Sequence, residues 1–266
     1  MDKQPIQLFA TCIVETLTPE IGLAAAEVLE RLGVAVVVPG GLTCCGQPAF
    51  NGGFWDDARV MARHTIDVLS RSDAPVVVPS GSCADMIQRH YPELFAADPL
   101  YGPRAEALAG RVYEFSEFLV DRLGQADVQS RFPARLTYHA SCHTLRGKGV
   151  THQPLDLLSH VRDARLVELP GATECCGFGG LFAVKMGDIS GAMLSRKLDN
   201  IEATGADAVV GCDPSCLLHM AGGLHRRGSR VRALHIAQVL RGIDPKGPEG
   251  KPGEGSPPSP GWGDER

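Results

Sequence analysis

The sequence predicts an α/β protein of two tandem, internally duplicated domains, each built of parallel βα units with cysteines at the carboxyl ends of its strands. Three observations carry this. Short apolar runs such as "VAVVV" (34–38) and "PVVVP" (75–79) alternate with stretches of helical periodicity. Cys12, Cys44, Cys45 and Cys83 recur as Cys142, Cys175, Cys176 and Cys216, displaced by 130 to 133 positions. Their surroundings recur too: "LFATCIVETL" (8–17) beside "LTYHASCHTLRG" (136–147), and "VVVPSGSCADM" (76–86) beside "AVVGCDPSCLLHM" (208–220).

Each element follows from local chemistry. Residues 6–10 read as the first strand. A helix opens at Pro19, with Thr18 as N-cap and proline at the first helical position. Its stretch "PEIGLAAAEVLERLG" has apolar residues at helical spacing, and Gly33 suits its C-terminal cap. Residues 34–38 form a β-branched run of buried-strand type. A helix covers about 55–71 and a third strand 75–79. The second half repeats the series: strand 135–138, helix 153–161, strand 165–168, helix 186–204, strand 207–211 and helix 215–225. The segments "RVYEFSEFLVDRLG" (111–124) and "RVRALHIAQVLRG" (230–242) each read as a strand followed by a helix. Parallel βα units of this kind make a Rossmann-like architecture. Residues 97–110 read as a polar insertion, and a linker is expected near 124–134. The division is therefore 1–124, 125–243 and a Pro/Gly/Ser-rich tail, 244–266, too polar to order itself.

Composition narrows the function classes. Hydrophobic residues make up 44% and charged residues 21% of the 266, ordinary for a globular chain. The net charge of −5 comes with no basic block, so nucleic acid is set aside as a partner. Residues 32–55 carry no charge, but Pro39, Gly40, Gly41, Pro48 and Asn51 make them strand and loop rather than a membrane span. The start, "MDKQPIQLFATC", lacks the basic and apolar regions of a signal peptide, and a cytoplasmic location is expected. No G-x-G-x-x-G opens a helix after a strand and no Walker motif is present, which argues against nucleotide-dependent hydride or phosphoryl transfer.

Nine cysteines in a reducing compartment do not read as a disulfide framework. In a parallel α/β sheet, ligands sit outside the carboxyl ends of the strands. Cysteines distant in sequence are thus expected to converge, in one crevice per half. Adjacent thiols suit a single tetrahedral zinc poorly, because their sulfurs diverge. A multi-iron cluster removes the conflict by binding neighbours to different irons. Gly46, Gly177, Gly179 and Gly180 permit the close backbone approach that a cluster needs. The first half offers Cys12, Cys44, Cys45 and Cys83. The second offers Cys142, Cys175, Cys176, Cys216 and also Cys212 in a C-x₃-C spacing, so cluster binding is expected above all in the second half. His139 and His143 flank Cys142 and read as hydrogen-bonding neighbours of the site. Phe50, Phe54 and Trp55 read as core near the first site. Zinc binding without turnover and thiol–disulfide exchange remain alternatives.

The motifs "CCGQPAFNGG" (44–53), "PSGSC" (79–83), "SCH" (141–143), "CCGFGG" (175–180) and "VKM" (184–186) resemble the cysteine-rich CCG-domain family. That family includes the cysteine-rich component of heterodisulfide reductase and the iron–sulfur component of glycolate oxidase. Within it, the chain is most similar to the lactate-utilisation protein A group, over about 6–242. The family pattern ends in Cys-x-x-Cys, whereas here Ser80 and Asp213 stand three residues before Cys83 and Cys216. The resemblance implies an iron–sulfur cluster, 4Fe–4S in type, and a redox role in oxidising L-lactate to pyruvate. It also implies work alongside two further lactate-utilisation subunits, themselves iron–sulfur or associated proteins.

Overall fold

A computed structural model describes residues 5–242. The tail expected from 244 onward lies outside the described residues. Each half is a four-stranded, all-parallel sheet. In the first half β1 (Ile6–Leu8), β2 (Val36–Val37), β3 (Val76–Val78) and β4 (Val112–Glu114) lie in the order β2-β1-β3-β4. In the second, β5 (Arg135–His139), β6 (Arg165–Val167), β7 (Ala208–Gly211) and β8 (Arg232–His235) lie in the order β6-β5-β7-β8. The registers match as well: Ile6 faces Val36 as Leu136 faces Leu166. The chain leaves the first strand to one side and returns on the other. Each sheet therefore has a topological switch point between its two central strands, where an open α/β sheet forms its crevice.

The helices follow the expected chemistry with local changes. Thr11 caps α1 (Cys12–Leu17) by accepting a hydrogen bond from the Val14 amide. Pro19 opens α2 (Pro19–Arg31), although Thr18 makes no side-chain capping bond, and Gly33 turns the chain out at φ +73°. Then come α3 (Gln47–Asn51) and α4 (Trp55–Leu69). After β3, α5 (Gly81–Asp85) runs through a π-helical turn (Met86–His90) into α6 (Tyr91–Leu94). The expected polar insertion is a helix instead, α7 (Tyr101–Ala109). Its Ala105, Leu108 and Ala109 pack into the core, which a few small apolar residues suffice to do. After β4, α8 (Phe115–Glu117) leads into a second π-helical turn, Phe118–Arg122. The expected linker is packed too, with Val128, Ser130 and Phe132 buried. The second half carries a π-helical turn (His143–Gly147), α9 (Gln153–Ser159), α10 (Leu181–Lys185), α11 (Gly187–Ala203), α12 (Pro214–Arg226) and α13 (Ile236–Arg241).

The halves share a core. One apolar cluster joins Ile6, Leu8, Val28 and Phe118 to Leu136, Leu157, Ile236 and Leu240. It fills the space between the two sheets, where α2 packs on α13 and α8 on α9. That pairing is reciprocal: the helix after the first strand of one half meets the helix after the last strand of the other. Two further clusters cover the outer sheet faces beneath α4 to α7 and beneath α11 and α12. Val76, Val77 and Val78 are fully buried, each stabilising the fold by about 1.5–3 kcal/mol.

Polar contacts lock the halves near the strand ends. The Gly81 amide donates to the Cys212 carbonyl (3.1 Å) and the Ser82 amide to Asp213 Oδ2 (2.8 Å). Lys148 Nζ lies 2.7 Å from Glu117 Oε2. Glu114 is buried and caps α8 by accepting from the Ser116 and Glu117 amides, while Glu117 accepts from the Glu114 amide. His235 repeats this box before α13 with Gln238.

The packing is testable at two places. A Cβ on Gly81 would lie 2.7 Å from Thr144 Cβ and 2.9 Å from its Cα, across the seam. Gly81→Ala should therefore lower unfolding stability by about 1–3 kcal/mol in denaturant titration. Gly191→Ala, in open space on α11, should not lower it. Equal stabilities for the two variants would refute the tight seam. Burial also pushes the Glu114 carboxyl up to about 8 from an ordinary 4.5. Between those values the native state keeps a proton that the unfolded chain sheds, so stability falls as pH rises. Relative to Glu114→Gln, the natural chain should lose up to roughly 1.4 kcal/mol per pH unit across that window. Parallel pH profiles would count against a buried neutral carboxyl.

Candidate metal centre

The cysteines sit where each sheet ends. Cys12 opens α1 just beyond β1, and Cys83 lies in the first turn of α5 beyond β3. Cys44 and Cys45 occupy the loop between β2 and α3. The second half repeats this with Cys142 beyond β5, Cys175 and Cys176 beyond β6, and Cys216 in the first turn of α12. Asp213 caps α12, its Oδ1 accepting from the Ser215 amide. These short strands deliver four sulfurs per half to one rim, as the sequence expects. The crevices are not separate, however. All eight cysteines line a single cavity of about 110 Å³, together with His143, Phe178, Gly179 and Gly180. The reason is the docking of the halves, which turns both strand-end rims toward the same seam.

Within each half the sulfurs form a chain of contacts. Cys12 and Cys45 both interact with Cys44, and Cys45 Sγ lies 3.3 Å from Cys83 Sγ. Cys142, Cys175, Cys176 and Cys216 repeat it link for link. The crowding divides the thiols. Hydrogen bonds from Cys12 and Cys45, aided by the Gly46 amide, hold the Cys44 thiol far below its usual range. Hydrogen bonds from Cys142 and Cys176, with the Gly177 amide at 3.3 Å, do the same for Cys175. The thiols that donate to them are pushed up: Cys12 and Cys142 by that bond and by burial, Cys45 and Cys176 likewise. Neighbouring sulfurs cannot all ionise without a cation among them.

The glycines after the cysteine pairs are required. Gly46 has φ +86° and Gly177 φ +89°, the left-handed region that glycine adopts freely. A Cβ on Gly177 would also lie 2.7 Å from the Ser190 carbonyl oxygen, and one on Gly46 3.3 Å from that of Ala58. Close packing on the following long helix thus aims both amides at sulfur. His143 Nδ1 lies 2.7 Å from Asp85 Oδ2, a carboxylate from the other half, which raises the imidazole's basicity. His139 is buried beside Cys176 and Cys216, and burial lowers it to about 4, so its ring is neutral near pH 7.

Two expectations are corrected. Cys212 does not join the group. It belongs to the shared core, its sulfur 3.5 Å from Ser116 Oγ and 3.6 Å from the Tyr138 hydroxyl. It falls on the final residue pair before α12, where the chain still faces the inter-sheet space, and burial pushes its thiol up. Without it, both halves present the same four thiols, and the expected advantage of the second half in cysteine count disappears. Phe54 and Trp55 are not core: they are 53% and 49% exposed, at the outward-facing start of α4. Phe50 is half-buried and stacks on Trp55. Sequence reasoning gave no role to Asp85, or to the hold of Asp213 on the Ser82 amide, because both act across the seam.

The donor set suits a metal centre. Four converging sulfurs per half, two of them adjacent in sequence, fit a group with more than one metal atom better than one tetrahedral ion. Residues that would hold such a group are Cys12, Cys44, Cys45 and Cys83 on one side and Cys142, Cys175, Cys176 and Cys216 on the other. Among the described residues, no helix is long and apolar enough to cross a membrane.

Comparisons with known proteins agree with this geometry. Residues 6–88 and 136–221 each match the CCG family, described as a cysteine-rich domain. The chain is 45% identical to a lactate utilization protein A of Exiguobacterium over 236 residues, 88% of this chain and 96% of that one. It is 44% identical to the protein of the same name from Bacillus subtilis over 235 residues, 88% of this chain and 98% of that one. Among solved structures, a hypothetical protein from Helicobacter pylori shares the fold at a TM-score of 0.60 and 12% identity. The match covers 89% of this chain and 48% of that longer one. By its two matched repeats and by its relatives, the chain belongs to the cysteine-rich CCG-domain family and, within it, to the lactate utilization protein A group.

Proposed function

We propose that this protein is the iron–sulfur redox component of a multi-subunit system that oxidises L-lactate to pyruvate. One observation carries the reading: two equivalent sets of four sulfurs converge on a common cavity. An iron–sulfur cluster, 4Fe–4S in type, would be held by those thiolates and would supply reversible one-electron storage. The chain's own contribution is to orient the sulfurs, direct the Gly46 and Gly177 amides at them, and screen them from water inside the seam. The names of the relatives, lactate utilization protein A, support a role in lactate utilisation; the two partner subunits and the cytoplasmic setting are part of the same proposal.

Anaerobic purification tests this. The expected product is brown, with several irons and matching sulfide per chain and an EPR signal in one oxidation state. Cys44→Ala and Cys175→Ala should each remove about half of the iron, and Cys212→Ala should leave it unchanged. A colourless protein with about one zinc per site would favour a binding role without turnover. A metal-free chain whose thiols titrate as a redox couple would favour thiol–disulfide exchange. A loaded protein whose centre lactate does not reduce in cell extract, and whose removal leaves lactate oxidation by that extract unchanged, would sink the substrate assignment.

A further inference from the structure

The two cysteine sets match sulfur for sulfur, but their walls do not. The repeat that carries Cys12 onto Cys142 carries Phe9 onto His139. Phe9 directly follows β1 and His139 ends β5, and each lies beside the third and fourth thiols of its half. Phe9 is 0% exposed and packs with Cys45 and Cys83, as an apolar wall should. His139 is 1% exposed, and among the described residues neither ring nitrogen has a hydrogen-bond partner. A buried imidazole left unpaired is costly, and most buried polar groups in natural folds have a partner, so one without calls for an explanation. The carbonyl of Ala172 is close enough to raise its basicity, yet it is not hydrogen-bonded to the ring.

The missing partner is indicated by position. A ring nitrogen of His139 and the sulfurs of Cys176 and Cys216 all lie within 4.8 Å of one another. Metal–nitrogen bonds of about 2.0 Å and metal–sulfur bonds of about 2.3 Å span most of that separation. A small rotation of the ring toward Ala172 would fix one N–H on that carbonyl and leave the other nitrogen free to bind, the arrangement that metal-bound histidines adopt. Lys197 adds a second difference. It is buried on α11 with Nζ hydrogen-bonded to the Gly171 carbonyl, whereas the matching position on α4 is the neutral Thr65.

We infer that the two metal centres are inequivalent: His139 ligates the second through a ring nitrogen, while the first, walled by Phe9, is held by thiolates alone. This rests on the metal-binding reading above. A nitrogen donor and a buried cation both make a cluster easier to reduce than one held by thiolates alone, so electrons would settle on the second centre.

The test uses the full chain purified anaerobically, in whichever of its oxidised or dithionite-reduced states is paramagnetic. Pulsed EPR should show a strongly coupled nitrogen whose splitting changes when the protein is made with 15N-histidine. That coupling should vanish in His139→Phe, a substitution that copies the wall of the first half. Should the variant not fold, the isotope experiment on the natural chain decides alone. Iron and sulfide analysis of the same sample separates the two readings. An iron-loaded protein without a strong histidine coupling, or with one that survives His139→Phe, overturns the ligand assignment and leaves the cluster reading standing. A protein without iron overturns both.

Discussion

Eight sulfurs around one cavity impose the constraint on which the rest of this structure depends. A thiolate is stable in a protein when amides or cations face it, and burial alone drives it back to the thiol. Here, in each set, the amide of Gly46 or Gly177 faces the sulfur of Cys44 or Cys175. The neighbours keep their protons by donating to that sulfur. Displacing those protons with metal would give every sulfur a counter-charge, which is why a metal centre explains the packing better than inert thiols do. The positive-φ turns, the close approach of the loops to α4 and α11, and the short strands all serve to bring the sulfurs within contact.

The second organising feature is the docking of two like halves. Internal duplication produced reciprocal contacts of the kind seen in symmetric dimers, here within one chain. The shared core between the sheets makes each half dependent on the other. Near the cavity the dependence becomes chemical: Asp213 holds the Ser82 amide, and Asp85 holds the His143 imidazole. A loop that carries ligands in one half is thus positioned by a carboxylate from the other. Around the sulfurs the halves differ at several wall positions, among them Phe9 against His139 and Thr65 against Lys197.

The strands, the long helices and the parallel topology were legible because β-branched runs, helical periodicity and proline or glycine at helix ends are local signals. The convergence of Cys12, Cys44, Cys45 and Cys83, and of their repeats, was legible because the side on which parallel strands end does not depend on detailed packing. Cys212 was misplaced for a related reason. Spacing places a residue near a rim but does not say which way its side chain turns, and this one faces the core between the sheets. Phe54 and Trp55 were misplaced because apolar character alone does not decide burial at a helix start. The helix at Tyr101–Ala109 was hidden by a weak apolar pattern.

From its residues alone this chain determined a duplicated α/β fold and the rim on which its thiols gather. Tertiary structure decided that the two rims share one cavity, that Cys212 stands apart, and that a histidine without partners faces the second set of sulfurs. The division has a physical origin. Strand direction, turn conformation and side-chain type act over a few residues, whereas the facing of two surfaces and the pairing of a buried group depend on contacts between segments more than a hundred positions apart.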